Sequence, residues 1–458
     1  NTTGTANVAV GALALDANTT ASSNTAIGYS ALSANTTAED NTAVGRNALL
    51  STTTGGSNVA VGTRSLDALT TGNTNIAIGS NAMGANTVGD RNVAIGHQAL
   101  LAYNPSSNED SYNIGIGYNA GVSITTGSSN TITGGLAGDA ITTGSGNTIY
   151  GKSAGTGITT ASNNTAIGYN TMAATTTGAD NVAVGHAALD SNTTASNNTA
   201  IGKNALTANT TGATNVAVGS GSLDANTTAS DNVAVGHNAM TSNTTGANNV
   251  GVGRSALSAN STASNNTGIG YHALVANTTG DNNVAVGSSA MGSNTTGAGN
   301  TAVGQGALDA NTSGIGNAAF GPNALGANTT AASNAAFGHS ALAANTTGTS
   351  NVAVGRLALT ANTTADNNTA VGYAALTANT TGAENVAIGS ACLDSNTTAS
   401  YNTGVGYNVL EATTTGGSNT AMGRYAMATN TTGNNNVAIG ISALGANTTG
   451  SYNTAGGA

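Results

Sequence analysis

The chain has 458 residues, of which only 6% are charged and 3% aromatic, with no Trp and a formal net charge of −10. Eight Lys and Arg in that length cannot form the basic stripe that neutralises phosphates, which argues against a nucleic-acid partner. No apolar run approaches the roughly 20 residues of a spanning helix.

Taken from the N-terminus, a glycine closing the phrase "NxAxG" recurs at Gly11, Gly28, Gly45, Gly62, Gly79 and Gly96, each 17 residues apart. After one step of 21 to Gly117 the step of 17 resumes through Gly134, Gly151 and Gly168 to Gly457, making 27 anchors. Low charge and few aromatics also suit a disordered chain, but disorder gives no reason to hold apolar residues in phase over so many units. Strict self-similarity is the mark of a solenoid, in which each unit buries its apolar face by stacking on its neighbours.

With each anchor glycine numbered 0, position −4 is always Asn, −3 mostly Thr or Val, −2 mostly Ala and −1 mostly Val or Ile. Ala follows at +3, Leu or Met at +4, and "NTTG" or "NTTA" at +7 to +10. Period-two alternation predicts a short strand with −3 and −1 on one face and −4 and −2 on the other. A second extended stretch is predicted over +2 to +6, with glycine at 0 and +10 serving the corners. The expected fold is all-β, a parallel β-solenoid of about 27 coils with a 17-residue repeat. At about 4.8 Å per coil it would be about 130 Å long. A helix is a poor fit, since β-branched residues and Gly recur too often.

Residues 1–102 read as regular coils. The +4 column exchanges Leu with Met, as in Leu32, Met83, Leu189, Met240 and Met291, which is core-filling behaviour. Positions +4 and −1 are therefore expected inside. The −2 Ala becomes Gly at Gly251, Gly268 and Gly404 and is rarely enlarged; its face is expected to be either the second wall of a narrow coil or a surface pressed on another chain. At −4, Asn24, Asn41, Asn181, Asn198, Asn215 and Asn232 represent an amide ladder along the axis.

An inserted loop follows at 103–112, with Pro105 and the acidic pair Glu109 and Asp110. Residues 113–163 are variant coils: Gly121, Gly138 and Gly155 stand at +4, Ile124, Ile141 and Ile158 at +7, and Ile132 and Ile149 at −2. The shift is expected to be compensated packing, since losing a core Leu outright costs about 2–5 kcal/mol. A joint or receptor contact beside the loop, and a tolerated recombination between repeat dialects, both fit. Regular coils resume over 164–458, the whole reading as one continuous repeat domain.

Position +1 collects the unusual side chains: Tyr29, Arg46, His97, Tyr118, Lys152, Tyr169, His186, Lys203, His237, Arg254, Tyr271, His339, Arg356, Tyr373, Tyr407 and Arg424. They are expected in an exposed line that could hold a host-surface glycan or receptor by stacking and hydrogen bonding, or simply at a permissive corner. The histidines lie in separate coils without partners at metal-ligand spacing, and carboxylates do not recur in pairs every coil, so no metal or other cofactor is expected. Cys392, alone in the chain, is expected to be a buried free thiol at +3. The "NTT" phrase makes sequons at Asn18, Asn35, Asn192, Asn209, Asn226 and Asn243; these are candidate glycosylation sites or plain turn residues. No triad or phosphate loop stands out, so no enzyme activity is expected.

The repeated phrase "NVAVG…AL.A" resembles the head repeats of YadA-like trimeric autotransporter adhesins, and resembles still more the Asn/Thr/Gly-rich repeats of bacteriophage tail fibres and related bacterial surface fibres. The resemblance implies a left-handed β-roll assembled as a homotrimer, exported, extracellular and used for attachment to host surfaces. The repeat here is a few residues longer, and no coiled-coil stalk, membrane-anchor barrel or tail-fibre chaperone domain accompanies it, which leaves the number of chains and the anchoring route open. Since the chain starts at Asn1 without Met and stops within a repeat, it reads as processed or partial, with attachment and targeting signals expected on the missing ends. The expected function is a non-enzymatic fibre for surface attachment, either a phage tail fibre or a cell-surface filament. Alternatives are an ice-binding solenoid built on the +8 and +9 threonines, a self-polymerising and glycosylated matrix filament, and, least supported, a glycan-degrading β-helix using Glu109 and Asp110.

Overall fold

The computed structural model describes residues 2–457, which fall into two compact units, Asn1–Asp231 and Asn232–Ala458. Each unit is a parallel β-solenoid, and no helix occurs among the described residues. In the first unit, three-residue strands run from Val8–Val10 to Val216–Val218, each pairing in parallel with the strand one coil away; in the second they run from Val233–Val235 to Thr454–Gly456. Register is strict, as in Thr165↔Val182, Ala166↔Ala183 and Ile167↔Val184. The strand occupies −3 to −1, and the rest of the coil is turn.

That turn replaces the second extended stretch expected at +2 to +6. Positions +2, +4 and −5 adopt left-handed backbone, for example Ser30 (φ 53°), Leu32 (φ 50°) and Asp40 (φ 61°). A non-glycine residue there costs about 1–2 kcal/mol. The offsetting gain is axial hydrogen bonding, which these torsions permit around the whole perimeter. Leu32 N–H donates to Ala48 O (3.0 Å), Ala34 N–H to Leu50 O (3.2 Å) and Asn47 N–H to Tyr29 O (2.9 Å). The anchor glycine is required on two counts: Gly62 has φ 133°, and a Cβ there would lie 2.6 Å from Gly79 O of the next coil.

The interior is narrow. Ala26, Ala31 and Leu32 are fully buried, as are their equivalents coil after coil, so −2, +3 and +4 fill it. The expectation that −1 points inward is corrected: Ile27, Ile78, Ile201 and Ile388 are about two-fifths exposed. The −2 methyl already occupies the inner face of the strand, and period two then sends −3 and −1 outward. The Ala face is thus the second wall of the coil and does not lie against another chain.

The −4 asparagines form the expected ladder. Asn75 Oδ1 accepts Asn92 N–H (3.0 Å) and Asn92 Nδ2 (3.1 Å), while Asn75 Nδ2 donates to Asn58 Oδ1 (3.1 Å) and, across its own coil, to Gly89 O (2.9 Å). The amide therefore stands in for a backbone acceptor and also ties the start of the strand to the +10 turn. Asn24, Asn41, Asn181, Asn198, Asn215 and Asn232 are all fully buried in this column.

At the insertion the ladder continues, with Asn113 N–H donating to Asn92 Oδ1 at 2.9 Å. The ends of the inserted segment stay in the coil: Tyr103 fills the +7 interior site, Asn104 N–H donates to Thr125 O (2.9 Å), Ser111 N–H donates to Asp90 O (3.2 Å) and Tyr112 takes the left-handed −5 place, leaving 106–110 exposed. In the variant coils the compensation is direct. A Cβ on Gly138 would lie 2.9 Å from Ile141 Cδ1, 3.1 Å from Ile149 Cδ1 and 3.2 Å from Ile132 Cδ1, so these isoleucines occupy the volume that Leu fills elsewhere.

Two outcomes test this packing. Asn75→Ala should destabilise its coils by about 2–4 kcal/mol, because buried groups lose their partners; hydrogen exchange should show the Asn92 amide opening faster. Gly138→Leu should crowd the core at about 1–3 kcal/mol. Adding Ile141→Asn and Ile149→Ala should recover most of that loss in thermal melts.

Candidate functional site

The anchor glycine turns the chain sharply out of the strand, so the next side chain projects from the corner. All of the +1 residues expected there are exposed: Tyr29, Arg46, His97, Tyr118, Lys152, Tyr169, His186 and Lys203 in the first unit, and His237, Arg254, Tyr271, His339, Arg356, Tyr373, Tyr407 and Arg424 in the second. Because successive coils are in register, these side chains stack on one another. His97 lies on Tyr118 and Tyr169 on His186, both with centroids 5.6 Å apart. Cations sit over rings: Lys152 over Tyr169 and Arg254 over Tyr271 at 5.9 Å, Arg356 over Tyr373 and Arg424 over Tyr407 at 6.0 Å. The sequence missed two members of this surface at +2, Tyr425 under Arg424 (4.8 Å) and His272 against Tyr271 (3.8 Å).

The second exposed feature was not expected. Residues −3 and −1 form two parallel ranks of Val, Ile and Thr on the outer strand face, with Ile76, Ile116, Ile167 and Val182 in the first unit and Ile269, Phe337, Val352 and Ile439 in the second all partly in solvent. Stacked Phe320 and Phe337 (4.8 Å) belong to the same face. Its sequence signal was present in the β-branched residues at both positions, but only a filled interior reveals that they point outward.

The candidate glycosylation sites are corrected. Asn18, Asn35, Asn192, Asn209, Asn226 and Asn243 are buried, forming a second amide ladder at +7. Asn209 Nδ2 donates to Asn192 Oδ1 (3.2 Å) and to Gly212 O (2.9 Å), leaving no room for a sugar on that nitrogen in the folded coil. The +8 threonines are committed as well: Thr36 Oγ1 donates to Thr53 O (3.3 Å) and Thr193 Oγ1 to Thr210 O (3.1 Å), while the +9 threonines mostly face solvent.

Glu109 and Asp110 are both exposed; Asp110 forms an ion pair with Arg91 and accepts from Tyr112 Oη (3.0 Å). Among the described residues no three metal-ligating side chains come together and no ligand-sized cavity opens. Partial burial at +5 raises the Asp67, Asp139, Asp190 and Asp394 carboxyls above the usual carboxylate range. Compared with models of known protein families and with curated protein sequences, the chain matches neither.

Cys392 is a buried free thiol, as expected, and burial pushes its pKa up to about 12. It should resist thiol reagents until the chain unfolds. A thiol whose folded pKa is raised stabilises the fold below its ordinary value and loses that contribution as pH climbs toward 12. Stability measured from pH 8 upward should therefore fall more steeply in the native chain than in Cys392→Ala.

Proposed function

We propose that the chain is part of a non-enzymatic extracellular fibre for surface attachment, either a phage tail fibre or a cell-surface adhesive filament, with several copies laid side by side. The observation that carries this reading is the outer strand face. Two ranks of Val, Ile and Thr at coil spacing form a strip on the order of 600 Å² per unit, at the upper end of what a lone soluble chain ordinarily exposes as one patch. A second and third copy of the same chain offer matching ranks at the same pitch, so a close-packed assembly buries the face without any new sequence. The adhesin-like and tail-fibre-like phrase quoted above supports three chains. The coil adds a second support: its polar groups are spent on holding the next coil, and what remains outside is a regular surface.

Native mass spectrometry of the purified chain tests this. An assembly of three times the 43.6 kDa chain is expected. Ile167→Lys together with Ile201→Lys, both on the outer face, should shift the population toward single chains while the β-type circular dichroism is kept. A wild-type chain that stays single at micromolar concentration would sink the proposal.

A further inference from the structure

The basic residues of this acidic chain are not scattered. Arg46, Lys152, Lys203, Arg254, Arg356 and Arg424, six of the eight Lys and Arg, stand at +1, together with four of the five His, and no carboxylate occurs in that column. Carboxylates lie instead at +5, in the +11 and +12 turn, and in the inserted loop. The six cations do not share coils with the +5 acids, their coils carrying Leu50, Thr156, Thr207, Ser258, Thr360 and Ala428 at +5. Among the described residues the one ion pair is Arg91 with Asp110, away from the ridge.

Four of the six, Lys152, Arg254, Arg356 and Arg424, have aromatic support, and it recurs. Lys152 with Tyr169, Arg254 with Tyr271 and Arg356 with Tyr373 are cation-over-tyrosine pairs on adjacent coils, each pair 102 residues from the next. Within the second unit the two arginine pairs are six coils apart, about 29 Å. Two of these rings are already occupied: Tyr169 lies between Lys152 and His186, and Tyr271 carries Arg254 and His272. At these two rings a neutral sugar lacks the open face on which it would stack. The groups left facing solvent are ammonium and guanidinium N–H donors and phenol hydroxyls, which suit negatively charged oxygens. Although the net charge is negative, the screening length at physiological salt is about 8 Å, so each cation acts singly on a contacting chain, with little opposition from distant acids.

We propose that the +1 ridge of each unit is a binding surface for an acidic polysaccharide, with Lys152 in the first unit and Arg254 and Arg356 in the second as the principal anion contacts and their tyrosine partners holding them outward. This assignment rests on the surface-attachment reading and names its ligand class. It also replaces ring stacking with charge pairing as the mode of recognition.

The test is isothermal titration of the full chain with three probes: hyaluronan, which carries carboxylates, dextran sulfate, which carries sulfates, and neutral dextran. Binding to at least one acidic probe and none to neutral dextran is expected, with loss of binding at high salt. The combined variant Lys152→Gln, Arg254→Gln and Arg356→Gln should bind about tenfold more weakly at unchanged circular dichroism and assembly mass. Arg91→Gln, which removes the cation paired with Asp110 away from the ridge, should bind as the native chain does. Which acidic probe wins identifies the anionic group. Equal binding to neutral dextran, no effect of the combined variant, or equal affinity for a single-stranded dT oligonucleotide would overturn the assignment. A trimer that ignores both acidic probes overturns the ridge and leaves the fibre reading standing; a single chain that binds them does the reverse.

Discussion

Everything in this fold follows from one constraint: the polar groups of a coil are satisfied by the coil 17 residues away. The strand alone cannot do this, since it is only three residues long. The backbone of the turns therefore takes left-handed torsions at +2, +4 and −5, turning N–H and C=O groups along the axis where strand geometry has ended. Where the backbone still lacks an acceptor, at −4, an asparagine amide supplies it; Asn41 N–H, for example, donates to Asn24 Oδ1 at 2.9 Å. A second amide ladder at +7 holds the +10 turn. Buried amides are tolerated because each is paired, and unpaired they would cost about 1–3 kcal/mol apiece.

The second constraint is volume. The interior admits little beyond two methyl groups, one Leu or Met and two amides per coil, and departures come in compensating sets. Gly251 sits against Met240, where a Cβ would lie 2.9 Å from Met240 Cγ. Gly404 faces Cys392 in the same way, with Sγ 2.5 Å from the place of a Cβ. The variant coils near the insertion carry this furthest, trading Leu at +4 for isoleucines at −2 and +7. Close packing makes such exchanges obligatory, because a void forfeits contacts and an overlap forces strain.

Once ladder and core are specified, little of the coil remains free to vary, and function has only the outside to work with. Two outer surfaces differ in kind. The strand face carries Val, Ile and Thr coil after coil, as suits contact between identical copies; the +1 corner is polar, aromatic and variable, as suits contact with something else. The same axial register that stacks the amides also stacks the corner side chains, which is why cations come to lie over tyrosines of the neighbouring coil.

The 17-residue period, the parallel β-solenoid class, the Asn ladder, the core role of Leu and Met at +4, the buried thiol and the exposed +1 corner were all legible in the sequence, because each is a column property and a column in a repeat is a line in space. Three things were not. Alternation at −3, −2 and −1 says which residues share a face but carries no sign for inside and outside; only the filled volume left by Ala and Leu decided that Val and Ile face out. Left-handed torsions at Leu and Met contradict local propensity and are imposed by axial hydrogen bonding. The asparagines of the "NTT" phrase read equally as turn, sugar acceptor or ladder, and their burial in the closed coil decided for the ladder. Periodicity is written in one chain's order of residues, whereas the sign of a face depends on what fills the space behind it.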